Sequence, residues 1–416
     1  MSCRHDPWAL LTFCLALSST SVAGQTETAI CQIEPGVTLE FLASPDANRL
    51  AWKVKDRGME YVVLDGIPGR AYNSISNMKF SDNSMHLAFI AHSDWPTTPT
   101  AGMSVVLDGN PGERFEWVSK PMMDKDGRTL AYFARPEEAL LTLVVNGSSI
   151  WSRDTVAAPS LALSHQGGQY AFVVRQRDDY YVRTNTGLKG PYNYVNPASL
   201  QFSPDGEHLS YVIVTLEPIF ILDDEPVGIC YNYHGPVYDS VGYGLAYALY
   251  DKNTWELVVE RPDTTLIQET EESPSNLTLS PDGRRFAWLK NAPLGGATVI
   301  LDSTALAEHN GAAWLTFSPD GSSLVYAAHE RNGWRVIAGA EPSALFQEVR
   351  DLVVSEEGNH WSCWARNGDD WYVLTDVERS RSYDEAASRI VFDSEHELHC
   401  IARRRDTYYR VSITLD

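Results

Sequence analysis

One turn, FSPDG at 202–206, returns as LSPDG at 279–283 and FSPDG again at 317–321, with a looser copy, ASPDAN, at 43–48. In Ser203-Pro204-Asp205-Gly206, Ser suits the first position of a type I turn and Pro presets φ at the second. Asp fits the third position, and Gly takes the left-handed conformation that follows. Alternating apolar residues flank it, Leu200 and Phe202 before, Leu209 and Tyr211 after, which is the pattern of a β-hairpin. Taking Ser203 as an anchor, equivalents stand at Ser44, Ser81, Asp124, Ser164, Asp239, Ser280, Ser318, Ser355 and Asp393. The spacing is close to 40 residues, a propeller-blade period.

Six to eight residues after most anchors comes an apolar–small–aromatic triplet. Examples are Leu50-Ala51-Trp52, Leu87-Ala88-Phe89, Leu130-Ala131-Tyr132 and Phe286-Ala287-Trp288. A third strand follows, often ending in Asp-Gly, as in YVVLDG at 61–66 and SVVLDG at 104–109, and then a short fourth segment. Four strands per unit in ten units predict an all-β fold, a β-propeller of about ten four-stranded blades. One ring is the preferred arrangement, because the units run in phase without a linker. Two smaller rings, dividing near the irregular sixth unit (242–260), remain open. The last unit stops after its third strand, and TETAICQIEPG at 26–36 is placed to supply the missing one beside 408–415. Such closure removes an exposed sheet edge.

The SPDG turn, the Leu-Ala-Tyr strand and VVLDG-x-PG-x-x-Tyr at 62–72 resemble the WD-repeat-like propeller repeat of bacterial TolB-type proteins. The resemblance covers nearly all of 37–416. It implies propeller architecture and no particular activity, since many functions use this scaffold. TolB-type proteins also carry an α/β amino-terminal domain ahead of a six-bladed propeller. This chain has no room for that domain, so the TolB role in outer-membrane integrity does not carry over.

Residues 1–23 read as a secretory signal peptide. Arg4 precedes an apolar stretch from Trp8 to Leu17, and Ser21-Val22-Ala23 precede Gly24. The stretch is too short to span a bilayer. The expected mature chain is therefore a propeller domain over 24–416, exported to the periplasm or the extracellular space. A net charge of −22 argues against nucleic acid and anionic membrane surfaces as partners. The partner classes left are a protein, a small molecule or a glycan.

No G-x-S-x-G, Walker A, H-E-x-x-H or C-x-x-C motif occurs, and MMDKDGRT at 122–129 lacks most ligands of a calcium loop. The cluster His396, His399, Cys400, with His360 and Cys363 one unit earlier, has no recognised zinc spacing, and strand alternation sends His399 and Cys400 to opposite faces. No cofactor or metal site is expected. Export permits disulfides, and Cys363 and Cys400, at nearly equivalent second-strand positions, are the first pair to consider; buried free thiols are the alternative.

Eleven residues after most anchors stand Lys55, His92, Arg135, Arg175, His329, Arg366 and Arg404, against Val214, Tyr250 and Asn291 in the remaining units, a recurring cationic position at the end of the second strand. It forms either a ring that attracts an anion or a set of pairs with loop acids. The long loop at 90–104 adds Asp94 and Trp95, an expected partner contact on a rigid scaffold. These residues, His92, Asp94, Trp95, Arg135, Arg175, His329, Arg366 and Arg404, are the expected binding positions. The function expected is a non-enzymatic scaffold that binds a protein or ligand. The rival is a hydrolase or lyase with its active site in the central channel.

Overall fold

The computed structural model describes residues 24–33, 40–93, 102–136, 140–150, 155–240, 242, 244–261, 264–292, 295–339 and 342–415. The proposed signal peptide, residues 34–36 of the closing segment, and Asp94 and Trp95 lie outside them.

The SPDG anchor turns are built by one set of hydrogen bonds. Ser203 Oγ donates to Asp205 Oδ1 at 2.5 Å and accepts from the His208 amide at 3.0 Å, while the Glu207 amide donates to the same Asp205 oxygen. Ser280 and Ser318 repeat the arrangement with Asp282 and Asp320. A second device fixes the turn between the third and fourth strands of several blades. Asp65-Gly66, Asp108-Gly109 and Asn146-Gly147 all have positive φ at both positions, the type I′ geometry that matches strand twist. Their side chains then accept the amides of Leu50, Leu87 and Leu130, tying the end of the third strand to the start of the second.

These hairpins assemble into ten antiparallel sheets, the blades of an all-β propeller. Among the described residues, most blades have four or more strands, mostly in sequential order; those at 311–338 and 348–375 have three. The triplets make the core: Ala51, Ala88, Ala131 and Ala287 are fully buried, and so, within a few per cent, are Trp52, Phe89, Tyr132 and Trp288. Burying such a side chain stabilises by roughly 1.5–3 kcal/mol. The small residue lets neighbouring sheets approach, as where Phe133 meets Phe172 edge-on at 5.3 Å.

The chain divides into two compact units. The larger, 72–345, holds blades two to eight. Its sixth blade is a complete four-stranded sheet despite losing the SPDG turn. There Asp239 replaces the anchor Ser and accepts the Gly242 and Gly244 amides directly. The smaller, 1–71 with 346–416, holds blades nine, ten and one. In it Gln25–Gln32 runs antiparallel to Thr407–Thr414, so the tenth blade takes strands from both ends of the chain. Glu27, almost wholly buried, accepts from Tyr383 Oη at 2.7 Å and from both terminal nitrogens of Arg404.

Candidate functional site

Most of the second-strand cations have a side-chain partner. Lys55 lies 4.0 Å from Glu60, Arg135 3.4 Å from Glu116, and Arg175 3.6 Å from Asp178. Arg366 sits 2.6 Å from Glu348, and Arg404 is bound by Glu27. His329 packs against Trp334, ring centroids 4.9 Å apart. The His92 carbonyl accepts the Asn73 amide. Among these cations only Arg366 faces a first-strand glutamate across the ladder, Glu348; Arg403, the neighbour of Arg404, does the same with Glu385. Exposed pairs of this kind contribute about 0–1 kcal/mol each.

Cys363 and Cys400 are free, fully buried thiols, not a disulfide. The reason is strand alternation. Trp364 belongs to the core cluster that contains Cys400, so its neighbour Cys363 faces the other side of its sheet. Burial raises both thiols well above their ordinary range and lifts Cys230 to about 11. Both nitrogens of His399 are engaged, Nδ1 by Asp393 at 2.6 Å and Nε2 by the Asp46 carbonyl at 2.8 Å. That imidazole is a strut between blades ten and one.

A different position shapes a site. Four residues before the anchors, the first strand of several blades carries a β-bulge, with register shifts at Ser76/Lys79, Ser275/Thr278, Ala313/Thr316 and Arg350/Val353. The bulged residues Asn77, Asn276, Trp314 and Asp351 all adopt φ between 49° and 56°. Non-glycine residues take this conformation at a cost, and Asn and Asp most readily. Bulges re-aim side chains and gather near binding sites. The sequence signal was an Asn or Asp at a fixed offset, easily mistaken for strand irregularity.

In the smaller unit this bulge borders a recess of about 370 Å³. Three first strands or their following turns line it: Phe41 to Pro45 from blade one, Arg350 and Asp351 from blade nine, and Ala386 to Arg389 from blade ten. Arg389 stands at the same offset from its anchor as Asp351 does. The floor is rigid. Trp364 Nε1 donates to the Ser388 carbonyl, and Ser388 Oγ accepts the Ile401 amide while donating to the Arg389 carbonyl. Arg350 is pinned by a 2.7 Å bond to the Ala386 carbonyl and lies 4.3 Å over the Trp371 ring. Its Nε is buried and, among the described residues, makes no hydrogen bond, with Asp351 Oδ2 at 3.6 Å. An unmade bond of this kind costs about 1–3 kcal/mol. Burial raises the Asp351 carboxyl above its ordinary value, with Arg350 and Arg389 pulling the other way. Arg389 itself is exposed.

The recess thus combines a fixed cation, an exposed cation, one strained carboxylate and an apolar wall. That set can recognise and orient a small polar ligand. It draws on three strands far apart in the chain, which no linear motif reveals.

No protein-family model matches this chain, and no curated protein matches it. Among solved structures, it is similar to a eukaryotic initiation factor at 13% identity, over 75% of this chain and 88% of that one, with a TM-score of 0.48. The Cps50 (Swd1) β-propeller domain of Myceliophteria thermophila matches at 14% identity over 64% and 98%, TM-score 0.28. TolB from Acinetobacter baumannii matches at 11% identity over 65% and 78%, TM-score 0.27. Likeness this distant has no bearing on activity, and the fold rests on the sheets described above.

Proposed function

We propose that this chain is an exported, non-catalytic β-propeller scaffold that binds a small ligand at the first-strand recess of its smaller unit. One observation carries the reading: the blade-nine bulge holds Asp351 in a strained conformation at the border of a recess whose volume falls in the range of small-molecule sites. Strain of this sort persists where surrounding structure over-determines it, and it concentrates at ligand sites. The amino-terminal pattern of 1–23 supports export. The test uses a mixed library of neutral, cationic and anionic fragments, observed by NMR on the full chain and on Ala387→Trp, which fills the recess. Hits lost in the filled variant, with its melting transition intact, support the site. Hits that persist there, or no hits at all, overturn it. Cell fractionation with and without residues 1–23 tests export; retention of the full-length chain in the cytoplasm refutes that part.

A further inference from the structure

We infer that the ligand class of this recess is a small organic monoanion bearing a carboxylate; the inference rests on the recess being the binding site. Two guanidinium groups and one carboxylate line it, so with all three ionised the local balance is a single positive charge, inside a chain whose net charge is −22. A local cation in an acidic protein is a selective feature, because the remaining surface repels the same ligand. The two arginines have different roles. Arg350 is held by the Ala386 carbonyl and the Trp371 ring and acts as fixed charge. Arg389 is exposed at the border, and its planar fork matches a carboxylate in two-point geometry. Asp351 sets the limit on charge, since a dianion meets its carboxylate as well as the arginines. Phe41, Leu42 and Pro45 supply the apolar wall that favours an organic group over a bare inorganic ion.

Titration calorimetry on the full chain compares benzoate, benzamide and phenyl phosphate at low salt. We expect benzoate to bind at least tenfold more tightly than benzamide and more tightly than phenyl phosphate, with affinity falling as salt is added. Arg389→Gln should lower benzoate affinity about tenfold. Asp351→Asn, which keeps a residue tolerant of positive φ, should raise it several-fold. Benzamide binding as well as benzoate, or Arg389→Gln leaving benzoate unchanged, overturns the anion assignment while leaving the recess a ligand site. Tighter phenyl phosphate binding overturns the monoanion limit. Weakened benzoate binding in Asp351→Asn overturns the role given to that carboxylate. If none of the three probes binds the parent, the inference fails, and fragments lost in Ala387→Trp still decide the broader reading.

Discussion

Glu27 receives two hydrogen bonds from Arg404, at 2.9 and 2.8 Å, across 377 residues of sequence. The carboxylate side chain is 1% exposed and also accepts from Tyr383 Oη and, at longer range, from Gln25 Nε2. The amino-terminal strand is therefore held by a buried ionic cluster as well as by its ladder with Thr407–Thr414. Removing one partner of such a cluster leaves an uncompensated charge. Glu27→Gln should cost about 3 kcal/mol, read as a lower urea midpoint with an unchanged slope. Glu27→Gln combined with Arg404→Met should lose less than the sum of the two single variants. Strict additivity, or a loss under about 0.5 kcal/mol, refutes a buried latch.

How much of this was legible in the sequence depends on distance along the chain. SPDG, Asp-Gly and Leu-Ala-Tyr act within one hairpin, and their hydrogen bonds close over a few to some twenty residues, as Ser203 to His208 and Asp223 to Leu209 show. Period and blade content were therefore readable. The Glu27 partners and the three strands around Asp351 are brought together only by the assembled blades. The cations of the second strand stood out by repetition, yet the carboxylates beside them, Glu116 and Glu348, lie at or just before the first strand, where no turn motif marks them. The bulge at Asn77, Asn276 and Asp351 was in plain view, but recognising it requires asking which residues tolerate positive φ.

The ninth blade borrows a carboxylate. Its turn reads Ser355-Glu356-Glu357-Gly358, with Glu where the SPDG blades have Asp two residues after the anchor. Glu395, from the tenth blade, accepts from Ser355 Oγ at 2.7 Å and from the amides of Glu357 and Asn359. Burial pushes this carboxyl up, but those hydrogen bonds together hold it below its ordinary value. Glu395→Ala should destabilise by about 1 kcal/mol. Adding Glu357→Asp, which restores an in-turn acceptor, should recover most of that loss in thermal melts. Failure to recover it shows that Glu395 acts through something other than the turn.

His208 gives a pH dependence with a definite sign. Its Nδ1 lies 2.6 Å from Asp223 Oδ2, and this hydrogen bond raises the imidazole above its ordinary value, against a smaller opposing effect of burial. Because the folded value is the higher one, the stabilisation is complete below the unfolded value of about 6.5. It is lost as pH rises through the folded value. The stability difference between the parent and His208→Gln should be larger at pH 5.5 than at pH 8.5. Asp223 keeps its bond to the Leu209 amide in both proteins, so the comparison isolates the proton. A difference independent of pH refutes the pairing.

The first-strand bulge can be tested as backbone chemistry, away from the recess. Asn276 has φ 49° and an exposed side chain, so it contributes little burial. Its conformation favours Gly, tolerates Asn, and penalises a β-carbon without a local hydrogen-bonding group by roughly 1–2 kcal/mol. Asn276→Ala should therefore destabilise by about 1 kcal/mol, while Asn276→Gly should stay within about 0.5 kcal/mol of the parent. The same pair of substitutions at Asn77 should behave alike, since the register shift there is the same. Guanidine denaturation of the four variants checks both positions. If Ala and Gly are equivalent, the left-handed bulge is not held in solution, and Asp351, which shares its geometry, loses the strain on which its assignment to a ligand site depends.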